Sequence, residues 1–241
     1  MPAILRGDHH VHSTFSDDAV STPAENLAAA RAAGLTELSL VDHVRRDTAW
    51  VADFVRTVRG LEVPEGLVVN VGVEAKILDR DGELDMPPLP VGVDRILIAD
   101  HQFPAAEGPL GPTEVRRRIA AGWAVDDVLD DYVTGLIAAM RRHPGNQLAH
   151  CFSLLPKLDI DPALVGAERL ARWADAARQT DTVVEVNEKW ACPAPDALAA
   201  ARRAGVALVA ATDSHAAEDV GRYRRVPVLL AAIDEETGDP A

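Results

Sequence analysis

The chain predicts an α/β fold built on a parallel sheet, curled into an irregular barrel of seven strand–helix units. Three observations carry this prediction. Short apolar runs alternate with helix-length stretches along the chain, an order that implies parallel pairing through helical crossovers. Aromatic residues make up only 4% of the chain and Ala and Val dominate, so helices can lie close against a sheet. Polar residues recur at the C-terminal end of every apolar run, the edge where parallel barrels and open α/β sheets place their sites.

The elements follow in order. A first strand is expected over Ala3–His9. The helix Pro23–Ala33 has Thr22 to cap it, Pro23 for its first turn, Glu25 to complement the dipole and Gly34 to stop it. Leu35–Val41 reads as the second strand and Asp47–Arg59 as a helix. Leu67–Ala75 and Val93–Ala99 read as the third and fourth strands. Between them, Asp81-Gly82 marks a tight hairpin turn over Asp79–Leu84, and Met86–Pro90 is a proline-rich loop. Gln102–Pro112 reads as a loop bordering the site. Then come the helix Asp126–Arg142, the strand Gln147–His150, the helix Pro162–Arg178, the strand Thr182–Val186, the helix Pro195–Ala204 with Gly205 behind it, and the strand Val206–Ala211. The acidic tail Asp234–Ala241 is expected to fray.

Composition bounds the rest. A length of 241 residues with 48% hydrophobic side chains supports one domain spanning residues 1–241. A net charge of −14 repels a polyphosphate backbone and disfavours nucleic acid as a partner. A small anion drawn to a bound cation is compatible with that charge. Cys151 and Cys192 make no disulfide framework. Ile4-Leu5 runs at once into charge, so no signal peptide is expected. No apolar run reaches the roughly 20 residues of a membrane span. The expectation is a soluble, cytoplasmic protein.

His10 and His12 follow the first strand, His43 the second, and Glu74 ends the third. His101 follows the fourth strand, His150 ends the fifth, Glu185 and Asn187 end the sixth, and Asp213 and His215 follow the seventh. In an extended segment His10 and His12 share a face with Asp8, while His9 and Val11 point away. Buried imidazoles and carboxylates in such number are costly unless paired or bound to metal. The mixture suits zinc, manganese or iron. Asp42 is placed to orient His43, and Lys189 to meet a phosphate oxygen as a point charge. Arg45, Arg222 and Asn187 are further candidates for substrate contact. Arg116-Arg117-Arg118 splays around a helical turn and reads as a solvated face. His143 reads as a cation at a helix end, and Cys151 as a core residue.

The run Asp8-His9-His10-Val11-His12-Ser13-Thr14-Phe15-Ser16-Asp17 resembles the opening motif of the polymerase and histidinol phosphatase (PHP) superfamily. Leu40-Val41-Asp42-His43, Gly72-Val73-Glu74-Ala75 and Ala211-Thr212-Asp213-Ser214-His215 are similar to its later motifs. Glu185-Val186-Asn187 and Glu218-Asp219-Val220-Gly221 resemble the free-standing histidinol-phosphatase branch. The resemblance implies a distorted (β/α)7 barrel with the site at the C-terminal ends of its strands, holding two to three divalent ions. It implies a first ion on His10, His12, Glu74 and Asp213, a second on Glu74, His101 and His150, and a third on Asp17, His43 and His215.

The implied activity is hydrolysis of a small phosphomonoester, with histidinol phosphate as first candidate. Paired cations lower the pKa of a shared water toward about 7 and so supply a hydroxide for in-line attack. His215, Asp17 or a metal-bound water would protonate the leaving group, and the sequence does not choose among them. Two alternatives are a phosphodiesterase or exonuclease acting on nucleotides or nucleic acid, and a metal-stabilised binding module without turnover.

Overall fold

The computed structural model describes residues 2–237, with side chains through Ile233. Seven parallel strands form one sheet: β1 (Gly7–Val11), β2 (Glu37–Val44), β3 (Val68–Lys76), β4 (Arg95–Ala99), β7 (Gln147–Ala149), β8 (Val183–Asn187) and β9 (Leu208–Ala211). The order β1-β2-β3-β4-β7-β8-β9 follows the chain. The ends of β1 and β9 nearly close the barrel. Val11 bridges Ser214 in parallel, and His12 N donates to the Ser214 carbonyl at 2.8 Å. Lower in the same seam, the Asp8 carboxylate accepts from Thr212 N, Thr212 Oγ1 and Gly221 N at 2.7 to 2.9 Å. Asp8 therefore staples the barrel shut and, among the described residues, joins no group of converging metal donors. The β1–β2 register also shifts between Asp8 and Val11.

The helices are α1 (Pro23–Ala32), α2 (Val51–Arg59), α3 (Pro112–Ala120), α4 (Val125–Arg142), α5 (Gly166–Gln179), α6 (Pro195–Arg203) and α7 (Val226–Thr237). Helix α1 begins with a full capping box: Thr22 Oγ1 accepts from Glu25 N, and the Glu25 carboxylate accepts from Thr22 N. Trp173, Tyr132, Leu136 and Met140 are fully buried where α4 and α5 pack on the sheet.

The structure departs from the sequence reading in four places. Ala3–Arg6 is a 3-10 turn, not strand, because Leu5 N turns back to the Pro2 carbonyl. Its Leu5 side chain then packs with Val186, Val226 and Ile233 beneath the barrel. Gln102–Pro112 contains a two-stranded antiparallel hairpin, β5 (Phe103–Ala105) and β6 (Gly108–Leu110), because Phe103 is buried against Trp123 and Tyr132. Helices α3 and α7 carry no expected counterpart. Of the tail, residues 234–237 complete α7, and 238–241 lie outside the described residues. The turn at Asp81-Gly82 forms as expected: Leu78 N donates to the Glu83 carbonyl, Ile77 bridges Leu84, and Gly82 has φ 79°.

Candidate metal centre

The strand ends deliver their polar side chains to one rim. His10 and His12 are fully buried, Glu74 is 1% exposed, His150 2% and Asp213 5%. His10 Nε2 and His12 Nε2 lie 2.9 Å apart. His12 Nε2 is 3.4 Å from Asp213 Oδ1, and both imidazole nitrogens are 3.6 Å from Glu74 Oε2. A tetrahedral ion with bonds of about 2.0 Å needs donor atoms about 3.3 Å apart, the spacing these four atoms bracket. Beside them, Glu74 Oε1 faces His150 Nε2 at 2.8 Å and His101 Nε2 at 3.1 Å. His12, His43 and His215 form a third group of converging donors, and His43 Nδ1 also approaches Glu74 Oε2 at 2.7 Å.

The donors fit metal ions on physical grounds. Glu74 Oε2 is buried, and despite the close His43 nitrogen it receives no hydrogen bond of proper geometry. The far nitrogens of the histidines are engaged elsewhere: His10 Nδ1 faces Glu185 at 3.0 Å and His150 Nδ1 faces Asp100 at 3.0 Å. These contacts set the tautomer that leaves each Nε2 lone pair aimed at the cluster. Electron pairs so crowded in a dry site repel unless cations or protons separate them.

Without metal, protons take that role. Burial opposes a charge on His10, but Glu185 and Glu74 outweigh it and hold its pKa well above the ordinary value. His150 rises to about 10, since Asp100 and Glu74 together overcome its burial. Burial drives His12 down to about 3. Burial also opposes the charge on Glu74, yet the surrounding imidazoles hold its carboxyl well below the usual range.

A supporting layer holds the donors. Glu185, fully buried, accepts from Gln147 Nε2 at 2.8 Å and Asn187 Nδ2 at 2.6 Å while facing His10. Asn187 Oδ1 accepts from Trp190 N, and Trp190 Nε1 donates to Asp213 Oδ2 at 2.8 Å, leaving Oδ1 toward His12. Lys157 Nζ sits 3.7 Å over the Trp190 ring and pins its plane. Asp100 also accepts from Ser153 Oγ and the Tyr132 hydroxyl. Asp42 accepts four donors from the backbone and hydroxyls of Ser13 and Ser16. Burial lifts Asp42 to about 6 against the lowering by those donors. Ser16 Oγ in turn accepts from His43 N, so Asp42 positions His43 through Ser16. His150 and Asp213 have φ of 28° and 54°, strained conformations that persist where the surroundings dictate them.

Eight expected donors converge; the ninth position differs. Asp17 is solvent-exposed, and Asp18 Oδ2 instead lies 3.3 Å from His215 Nε2 and 3.5 Å from His43 Nε2. The tight turn over residues 14–18, closed by Ser16 N to the Ser13 carbonyl at 2.9 Å, rotates the chain so that the second of the two aspartates faces the rim. Asn187 is fully buried behind the donors and contacts Glu185, not the open site. His9 points away, 3.9 Å from Glu37. Sequence reasoning missed the parts played by Trp190, Ser13 and Ser16. A lone aromatic two residues beyond Glu188 carries no periodic signal.

Two cavities flank the donors. One, about 510 Å³, is lined by Lys189, Asp213, His215, Arg222 and Arg224 among others. The other, about 490 Å³, is lined by Asp17, Asp18, His43, Arg45, Lys76, Asp85 and His101 among others. Lys189 Nζ lies 3.2 Å from His215 Nδ1 and 3.5 Å from Asp213 Oδ1. Arg116, Arg117 and Arg118 are tied to Lys157, Glu114 and Glu107, as a solvated helix face requires. No helix among the described residues is long and apolar enough to cross a membrane.

Fold and donor set together define a barrel built to hold metal ions at the C-terminal ends of its strands. The PHP domain family model matches residues 8–189, and the chain belongs to that family. A probable phosphatase of Acetivibrio thermocellus is 26% identical over 230 residues, covering 94% of this chain and 86% of its own length. Another, from Shewanella sp. (strain MR-4), is 27% identical over 233 residues, covering 94% and 83%. The crystal structure of histidinol phosphate phosphatase from Lactococcus lactis, complexed with zinc, L-histidinol and phosphate, superposes with a TM-score of 0.62 at 15% identity, covering 95% of this chain and 92% of its own. That likeness shows the shared distorted seven-stranded barrel.

Proposed function

We propose that residues 1–241 form one catalytic domain, a cytoplasmic metal-dependent phosphatase that hydrolyses a small phosphomonoester. The observation that carries this reading is the convergence of imidazoles and carboxylates on one buried rim beside an open, cation-lined cavity. The donor chemistry suits two to three ions of zinc, manganese or iron. His10, His12, Glu74 and Asp213 would hold the first, Glu74, His101 and His150 the second, and His43, His215 and Asp18 the third. Such ions, when bound, acidify a shared water and neutralise phosphate oxygens.

The chain's own residues supply orientation. Glu185, Asp100 and Trp190 fix the donors from behind. Lys189 stands where it can meet a phosphate oxygen, and Arg45 and Arg222 line the two approaches. His215 stands with His12 and His43 and is committed there. Asp17, exposed on the wall of the second cavity, is the side chain free to move a proton during turnover.

The relatives named probable phosphatases support the reaction class, and the fold neighbour makes histidinol phosphate the first ester to assay. The net charge of −14 and the engaged arginines of α3 disfavour a nuclease. The complete donor set disfavours a module without turnover.

The test is the purified protein loaded with zinc or manganese and offered a panel of phosphomonoesters and single-stranded DNA. Phosphate release from a monoester is expected. A fully metallated sample inert toward every ester, or one that degrades the DNA faster, would overturn the reading.

A further inference from the structure

The 510 Å³ cavity beyond Asp213 and His215 is larger than a phosphate group needs and falls within the ~300–1,000 Å³ range of cavities that take a whole small molecule. Four cationic side chains, Lys189, Arg222, Arg224 and Arg225, line it against three carboxylates, Glu188, Asp213 and Asp219. Among the described residues, the guanidinium groups of Arg222 and Arg224 meet no carboxylate or carbonyl partner, although the chain has 38 acidic side chains for 24 basic ones. Arg225 is different: its guanidinium donates to the Lys189 carbonyl. Glu188 is spent on the backbone amides of Arg225 and Val226.

The segment is held firmly. Gly221, at φ 70°, donates its amide to Asp8, and the Tyr223 hydroxyl donates to the Gly7 carbonyl at 2.7 Å. With Tyr223 drawn inward, its two neighbours Arg222 and Arg224 both line the cavity. The opposite cavity sets Arg45 and Lys76, the latter 3.6 Å from Asp85, against four carboxylates, Asp17, Asp18, Glu74 and Asp85, and so has no excess of cations.

We infer that Arg222 and Arg224 form a subsite for a second anionic group of the substrate, so that the preferred ester carries a carboxylate or another phosphate on its leaving group. This rests on the phosphatase reading. Guanidinium forks match the paired oxygens of either anion. A leaving group that bears an amine, as histidinol does, would meet two unpaired cations of its own sign.

The experiment compares kcat/KM of the metal-loaded full chain for glycerol 3-phosphate, 3-phosphoglycerate, propane-1,3-diol bisphosphate and O-phosphoethanolamine. At least one anion-bearing ester should exceed glycerol 3-phosphate by about tenfold or more, the scale of one charge-assisted contact. Which one does so separates carboxylate from phosphate recognition. Arg224→Ala should collapse that ratio toward one, and Arg224→Lys should keep part of it. A preference for the neutral or aminated ester, or a ratio unmoved by Arg224→Ala and Arg222→Ala, overturns the subsite.

Calorimetric titration with 3-phosphoglycerate and with inorganic phosphate separates this failure from failure of the phosphatase reading. If no ester is hydrolysed but 3-phosphoglycerate binds more tightly than phosphate, and Arg224→Ala removes the difference, the subsite stands without the reaction. Equal binding of the two anions sinks the subsite.

Discussion

Asp18 Oδ2 reaches His215 and His43 while Asp17 faces solvent, and the two aspartates should separate experimentally. Asp18→Asn should lower the stoichiometry or affinity of the weakest-bound ion. Asp17→Asn should leave metal content intact and lower turnover. The reverse pattern in a metal analysis of the two variants would refute the assignment. Trp190 fixes Asp213 through one indole hydrogen bond. Trp190→Phe keeps the ring and removes the donor, so it should weaken metal affinity by about 10- to 100-fold, as loss of an outer partner does. Competition with a chromogenic chelator measures this, and an unchanged affinity would remove Trp190 from the supporting layer. Neither residue's role was legible beforehand. The Asp17-Asp18 doublet offers two equal carboxylates, and only the hydrogen-bonded turn at Ser13–Ser16 selects between them.

Among the elements, the strands and most helices were legible because each obeys a local rule. Alternating apolar runs bounded by glycine and proline marked the strands. The Thr22–Glu25 box and Gly34 bounded α1. The β5–β6 hairpin and helix α3 were not legible. Phe103 meets Trp123 edge-on and stacks on Tyr132, joining three separate segments through long-range contacts without local periodicity. The turn at Gly82 shows both levels at once. Asp81-Gly82 announced a turn, but its docking was hidden: a Cβ on Gly82 would lie 2.2 Å from the Ala139 amide nitrogen of α4. Gly82→Ala should therefore destabilise the fold by about 2 kcal/mol or more, through both the positive φ and the backbone clash. Chemical denaturation would show it, and a neutral result would mean that the turn does not rest on α4.

At the scale of the whole molecule, metal binding should couple to both stability and protons. Ions that bind only the folded barrel raise its stability, by about 2.7 kcal/mol when present at a hundredfold excess over Kd. The metal-free melting temperature should therefore rise on adding zinc or manganese and fall on chelation. The pH dependence follows from the three raised histidines, His10, His43 and His150, of which His10 and His150 are buried among the donors. Carboxylates hold His10 and His150 protonated at neutral pH in the metal-free state, whereas ligation needs them neutral. Binding near pH 7.5 should thus release protons, and affinity should fall as the pH is lowered. Calorimetry in buffers of different ionisation enthalpy reads the proton count directly; no release would contradict the ligand roles of these two residues.

From the amino-acid order alone came the parallel strand–helix alternation, the rim on which the chemistry collects, and the kinds of donor available there. Periodicity and end signals are local, and the topology of parallel strands sends every strand terminus to one edge. The folded chain alone decided which aspartate turns inward and which partners steady each imidazole. It also decided that two unpaired arginines share a cavity with Asp213 and His215. Those outcomes depend on contacts between residues as far apart as Asp8 and Gly221 or His10 and Glu185, and such contacts exist only once the barrel has closed.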